Sequence, residues 1–342
     1  MRAPVNEGPA DGRCMSARIV RCAAVVAILA GPAGSPALAA DSYPSKPIHI
    51  IVPYVAGGLV DSLARVMASH MSDTMGQPVV VENRPGASAM LGMEACARAA
   101  PDGYTACLTL PDPVTYNPQL FKELPYDPAK DFAAVINLGF TNNLLAANIK
   151  APFGTYKDMI AYAKAHPGKI NWGTWGPATV PDLYLRWILN RTHVDITAVP
   201  YKGAAQTNPA LIAGEIDVMY TGFGVAHPQI EAHQVKPVVA LTAKRSRFMP
   251  DLPTLAEAGD DPGLQSYFGV WTTGGTPQPL VDRLNAEFTK AARTPKAEEF
   301  YKTYTLDFAP NTAAEFAAFV KHDAETVAKV FKTIGIAPSA TR

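Results

Sequence analysis

Pro53-Tyr54-Val55-Ala56-Gly57-Gly58-Leu59-Val60-Asp61-Ser62-Leu63-Ala64-Arg65 follows a β-branched apolar run, Ile48-His49-Ile50-Ile51-Val52. An apolar strand, a glycine turn and a helix start form an arrangement that aims backbone N–H groups at an anion. Nothing beside the turn reads as a nucleophile, a general base or a metal ligand, so the motif reads as one that holds a guest unchanged. Asp61 is awkward in an anion site. It reads either as a first-turn carboxylate that accepts loop N–H bonds and stiffens the turn, or as a contact to a ligand amine or a water.

A second element of the same kind lies in the middle third: Asn171-Trp172-Gly173-Thr174-Trp175-Gly176-Pro177-Ala178-Thr179-Val180-Pro181-Asp182-Leu183. It again runs strand, small-residue loop, helix, with Thr174 and Thr179 offering hydroxyls. Each loop alone is explained by helix capping. Two of them at equivalent places in two lobes suggest opposite walls of one cleft.

Strand and helix signals alternate along the chain. Strands are expected at Ile48–Val52, Val79–Glu82, Tyr104–Leu110, Ile170–Gly173, Ile196–Pro200, Ile216–Tyr220, Val238–Thr242 and Phe268–Thr272, with one long strand within Val135–Asn148. Helices are expected at Asp61–Met75, Leu91–Ala99, Tyr156–His166, Pro181–Asn190, Asn208–Ala213, Gln278–Ala292 and Ala313–Ile334. This alternation predicts parallel α/β lobes. At 342 residues with 48% hydrophobic content, two lobes are favoured over one oversized core.

Residues 1–40 read as a secretory signal. Met15-Ser16-Ala17-Arg18-Ile19-Val20-Arg21 is a basic start, Cys22 to Ala30 an apolar core, and Ala37-Leu38-Ala39-Ala40 a small-residue cleavage site. The apolar core is far shorter than the ~20 residues of a membrane span. Residues 1–14 are unlike such a leader, which makes Met15 a candidate start. Its removal leaves a net charge of about −2 and no basic stripe, which argues against nucleic acid. Two cysteines remain, Cys96 and Cys107, on a predicted helix and the next strand. They read as a disulfide permitted by an oxidising compartment, or as two small buried thiols; their spacing is not that of a redox motif.

The loops, together with several shorter blocks, resemble the Bug family of periplasmic receptors, which serve tripartite tricarboxylate transporters. The matching blocks are Pro47 to Asp61, Glu82-Asn83-Arg84-Pro85-Gly86-Ala87, Pro101-Asp102-Gly103-Tyr104-Thr105, Val199-Pro200-Tyr201-Lys202-Gly203, Pro253 to Gly259 and Gly275-Thr276-Pro277. The likeness spans nearly all of residues 43–336.

The resemblance implies a two-lobed, type II-like Venus-flytrap α/β fold with crossing hinge strands near Leu144–Asn148 and Phe268–Thr272. Lobe one would be 43–145 plus 265–342, and lobe two 146–264. It implies capture of a small carboxylate by Tyr54, Gly57, Gly58 and Leu59 on one side and Thr174, Gly176 and Thr179 on the other, largely through amides and waters. The implied partners are the membrane permease subunits of such a transporter, and the implied state is a monomer in the periplasm. A sensor that signals to a kinase is the alternative.

Departures from the family pattern bear on the guest. Trp175 stands where the family often has proline, Ala178 where it often has glycine, Asp182 where it often has histidine, and Ser88-Ala89-Met90 in a stretch that usually includes glycines. Trp175 is either a stacking wall for a planar acid or a packing tryptophan. Ala210, where the family often has aspartate, removes an amino-group contact and disfavours an amino acid.

Enzyme chemistry, cofactors and metals are not expected. His227 and His233 are six apart, outside the usual metal spacings. Asp260-Asp261 reads as a turn beside Pro262-Gly263. Gly-x-Ser-x-Gly and the P-loop are missing. Arg84 reads as a loop brace or an anion contact, and Lys244-Arg245-Ser246-Arg247 as a solvated loop or a partner patch.

Overall fold

Two sheets divide the strands of the chain, in a computed structural model that describes residues 43–338. The expected signal segment lies outside the described residues. In chain order, β1 (Ile48–Val52), α1 (Leu59–Met75), β2 (Val79–Asn83), α2 (Met90–Ala97) and β3 (Thr105–Thr109) open the first lobe. A π-helical turn, Asp112–Tyr116, runs into the short α3 (Asn117–Leu120), and β4 (Phe132–Thr141) leads to the junction.

The second lobe carries β5 (Asn143–Asn148), α4 (Tyr156–Ala165), β6 (Asn171–Thr174), α5 (Val180–Thr192), β7 (Thr197–Pro200), α6 (Ala204–Ala213), β8 (Val218–Gly222), α7 (Phe223–Glu231) and β9 (Val235–Ala240). The chain then returns through β10 (Tyr267–Thr273), α8 (Gln278–Ala292), α9 (Pro295–Thr303), β11 (Leu306–Asp307) and α10 (Ala313–Thr333). The sheet orders are β11-β4-β10-β3-β1-β2 and β7-β6-β8-β5-β9.

Local chemistry explains the elements. Helices cover the first sheet, so every residue of β10 is buried and its sequence is almost continuously apolar. Helix α1 buries Leu63, Met67, Met71 and Met75, one face at helical spacing, and stops at Gly76 with φ +68°. Helix α10 starts in a reciprocal cap between Thr312 and Glu315.

Three expectations need correction. The single long strand expected within Val135–Asn148 is two strands in different sheets, separated by the buried Asn142. Its amide donates to Thr305 O (2.7 Å) and Asp307 Oδ2 (2.8 Å), which pins the crossing residue to the first lobe. Strand β5 therefore belongs whole to the second sheet, starting at 143 rather than 146.

The sheets are mixed, not parallel. Strand β10 is antiparallel to β3 and β4, and β5 is antiparallel to β8 and β9. The reason is connectivity: β5 and β10 begin at the junction and must run away from it, against strands that run towards it.

Finally, α10 does not belong to lobe one alone. Phe316 packs among first-lobe residues, whereas Val327, Val330 and Phe331 complete the second lobe's core.

Five elements were not expected from the sequence: the π-helical turn, α3, α7, α9 and the two-residue β11. Prolines at N1 of α9 and inside α7 read as breakers, and the π-helical turn contains Pro113.

Candidate ligand cleft

The pairing registers fix where the two loops lie. Strands β1 and β3 are parallel to one another, as are β6 and β8. At the crossing, Asn143 pairs with Gly222, the last residue of β8, and Tyr267 pairs with Phe140 near the end of β4. The carboxyl ends of β1, β3 and β4 and of β6 and β8 all point to this crossing, the position at which open α/β sheets bind ligands. The loop after β1 and the loop after β6 both leave from those ends. A cavity of about 330 Å³ beside Asn142 is lined by Leu59 from the first loop and by Gly222 and Val225 from the second lobe.

In the first loop, Gly57 adopts φ +82°, a conformation costly for other residues. Its N–H donates to Asp61 Oδ2 at 2.8 Å. Asp61 is buried and also accepts from Arg65 Nε (3.0 Å) and Asn83 Nδ2 (3.0 Å). Burial pushes its pKa up, but the bonds from Arg65, Gly57 and Asn83 outweigh this and hold the carboxyl below its ordinary value. With both oxygens occupied, Asp61 is a brace. Gly58 is the N-cap of α1 and has no side chain to cap it. Ser62 N–H is the first to bond back into the helix, to Gly58 O at 2.9 Å, so the amides of Gly58, Leu59 and Val60 precede the helical ladder. Half-buried Tyr54 bonds through its hydroxyl to Thr109 Oγ1 (3.0 Å), and its carbonyl accepts from Asn83.

The second loop repeats this construction four residues at a time. Ala178 takes the left-handed place of Gly57, with φ +60°. Its N–H donates to Asp182 Oδ2 at 2.8 Å, and Arg186 Nε donates to the same oxygen at 2.8 Å. Thr179 caps α5 with the extended backbone that Gly58 has in α1. Leu183 N–H is the first to bond back, to Thr179 O at 2.9 Å. The amides of Thr179 and Val180 thus precede the ladder, while Pro181 supplies none.

The remaining second-loop candidates differ in what they present. Thr174 is buried at the end of β6, and its carbonyl accepts from Tyr201 N. Thr179 donates its hydroxyl proton to Gly176 O at 2.7 Å, which stiffens the loop. Gly176 itself has φ +103°. Trp175 is half-buried, edge-on to Tyr220 with centroids 5.7 Å apart, and packs against the second core.

The brace Asp182–Arg186 was missed in the sequence, where Asp182 read only as a departure. The signal was present: Asp61-x3-Arg65 and Asp182-x3-Arg186 share spacing and loop context. Several other charges have structural partners. Arg84 pairs with Glu82 at 2.7 Å. Arg245 pairs with Glu257, and Arg247 with Asp307. Cys96 and Cys107 form a disulfide with Cα atoms 6.3 Å apart. His227 lies 3.6 Å from Glu231 on α7. Among the described residues, no helix is long and apolar enough to cross a membrane.

Residues 63–336 match the family model described as "Tripartite tricarboxylate transporter family receptor". The chain belongs to this receptor family. The receptor is 33% identical over 312 residues to a UPF0065 protein of Cupriavidus necator, covering 90% of this chain and 93% of the relative. It resembles a solved structure of the periplasmic binding protein BugD, with 30% identity and a TM-score of 0.70 over 87% of this chain and 100% of that one. It also resembles Rpa4515 of R. palustris, solved with adipate, with 31% identity and a TM-score of 0.73 over the same shares.

Proposed function

We propose that this receptor captures a small organic acid between its lobes in the periplasm and delivers it to the permease of a tripartite tricarboxylate transporter. One observation carries the reading: two helix N-termini of matching construction, each with unclaimed amides and an Asp–Arg brace, sit on strand ends that face the same crossing. The adipate held by Rpa4515 supports a carboxylate as guest. Lobe one is read as 43–141 with most of the chain from 267 onward, lobe two as 143–264, with Asn142 as a hinge residue. The receptor is read as a monomer with no catalytic step.

Neutral amides suffice energetically. A helix N-terminus favours an anion by up to ~2 kcal/mol when partly buried, and a hydrogen bond to a charged group adds roughly 1.5–3 kcal/mol. A few such bonds reach the ~8 kcal/mol of micromolar binding after ordering costs. No cation is then left unpaired in the open form.

Isothermal calorimetry with adipate, succinate, citrate, benzoate and nicotinate tests the reading. Micromolar binding of at least one, weakened tenfold or more by Gly58→Pro or Thr179→Pro, is expected; no heat with any acid would refute it.

A further inference from the structure

Just past the carboxyl end of β3, which points to the crossing, lies an acid that neither loop uses. Asp112 comes three residues after the end of β3, beside the Thr109 that holds the Tyr54 hydroxyl. It opens the π-helical turn whose Val114 packs in the first lobe and whose Tyr116 packs with Leu145, Trp172 and Tyr220 in the second. The turn therefore spans the crossing. Pro111 and residues 113–117 are buried, whereas Asp112 keeps partial access to solvent.

Its surroundings offer the carboxylate no counter-charge. Among the described residues, no side chain donates to Asp112 and no cation lies within 4.0 Å of it. The groups that feel its charge are Tyr54 from the first loop, Tyr116 on its own turn, Tyr220 of β8, Tyr267 of β10 and Asp323 of α10. They are phenols and a second acid, contributed by both lobes. Desolvation pushes the Asp112 carboxyl above its ordinary value, and only its own backbone N–H opposes this. An acid so placed costs stability in the empty protein and gains most from a donor brought by a guest.

We infer that Asp112 is a specificity-determining residue that receives the ammonium group of a zwitterionic guest, so the receptor selects amino acids over their des-amino counterparts. The inference rests on the carboxylate-capture reading. It reverses the expectation drawn from Ala210, a residue that the structure buries in the last turn of α6 with Leu211, Ile216 and Met219. A dicarboxylate would set a second negative charge beside Asp112 and Asp323, of which only Asp323 feels a neighbouring basic group, His322, among the described residues. Half-buried Trp175, edge-on to Tyr220, and half-buried Tyr54 keep aromatic surface that suits an apolar or planar side chain.

Calorimetry with matched pairs tests this: glutamate against glutarate, leucine against 4-methylpentanoate, and phenylalanine against 3-phenylpropanoate. The amino member of at least one pair is expected to bind tenfold or more tightly, and Asp112→Asn to erase that preference while leaving the des-amino acid within about threefold. A thermal melt of the ligand-free Asp112→Asn protein, expected at or above wild type, shows that the variant folds. Equal or tighter binding of every des-amino member, or a preference that survives Asp112→Asn, overturns the assignment but leaves carboxylate capture standing. If none of these acids nor those of the calorimetric panel binds, both readings fall together.

Discussion

Asp61 and Asp182 occupy the same place in opposite lobes. Each accepts the N–H four residues before it, at 2.8 Å, and the guanidinium nitrogen four residues after it. The turns they hold carry the amides of the proposed cradle, so their carboxylates act on a guest only through the shape of the loop.

Asp61→Ala and Asp182→Ala should therefore loosen the loops and weaken binding of an acid, by an amount comparable to the ~0.5–2 kcal/mol of stability that a helix-start acceptor contributes. Calorimetry should show losses of similar size for the two variants. Loss from one and none from the other would break the equivalence of the loops.

Ala87, Ser88 and Ala89 are three successive non-glycine residues with φ of 48°, 54° and 69°. Left-handed backbone costs an L-residue about 1–2 kcal/mol, offset in part by the extra freedom a glycine has when unfolded. Ser88 is exposed, so Ser88→Gly is expected to raise stability by about 0.5–1 kcal/mol, read as a higher urea midpoint at unchanged slope.

The Cys96–Cys107 bridge closes a loop with a sequence separation of 11. The loop-closure model gives roughly 3 kcal/mol for such a link. The double variant Cys96→Ser, Cys107→Ser should unfold with a stability lower by about that amount in chemical denaturation, and reductant should have no further effect on it.

Buried Asp323 accepts from the Tyr267 hydroxyl at 3.2 Å. Burial pushes its pKa up to about 6, against the opposing pull of Thr115, Tyr267 and His322. The fold therefore favours the protonated form, and stability falls as pH rises from about 4 to about 6. Asp323→Asn, which keeps the acceptor, should remove this slope and add on the order of 2 kcal/mol at pH 7. Denaturant midpoints measured from pH 4 to pH 8 would check it.

Several elements were legible because their signals are local. The apolar run 48–52 and the helix 278–292 have the expected bounds, since buried strands and amphipathic helices announce themselves by period. The crossing was hidden: Val135–Asn148 is mostly apolar, its asparagines at 137, 142, 143 and 148 look alike in the sequence, and Asn142 marks the division only through its bonds to Thr305 and Asp307 far along the chain. The strand, turn and helix of each proposed amide loop could be read because glycine and small residues mark the turns. Asp112 could not, because its isolation depends on Tyr220, Tyr267 and Asp323, which are remote in sequence.

Helix α10 is a single rod of 21 residues whose front half lies on one lobe and whose rear half on the other. A clamshell receptor tethered this way would not swing freely. Each stroke of the proposed capture would drag Val327, Val330 and Phe331 across Tyr116 and their other core neighbours or flex the rod itself, so the helix would set a mechanical stop on the jaw angle.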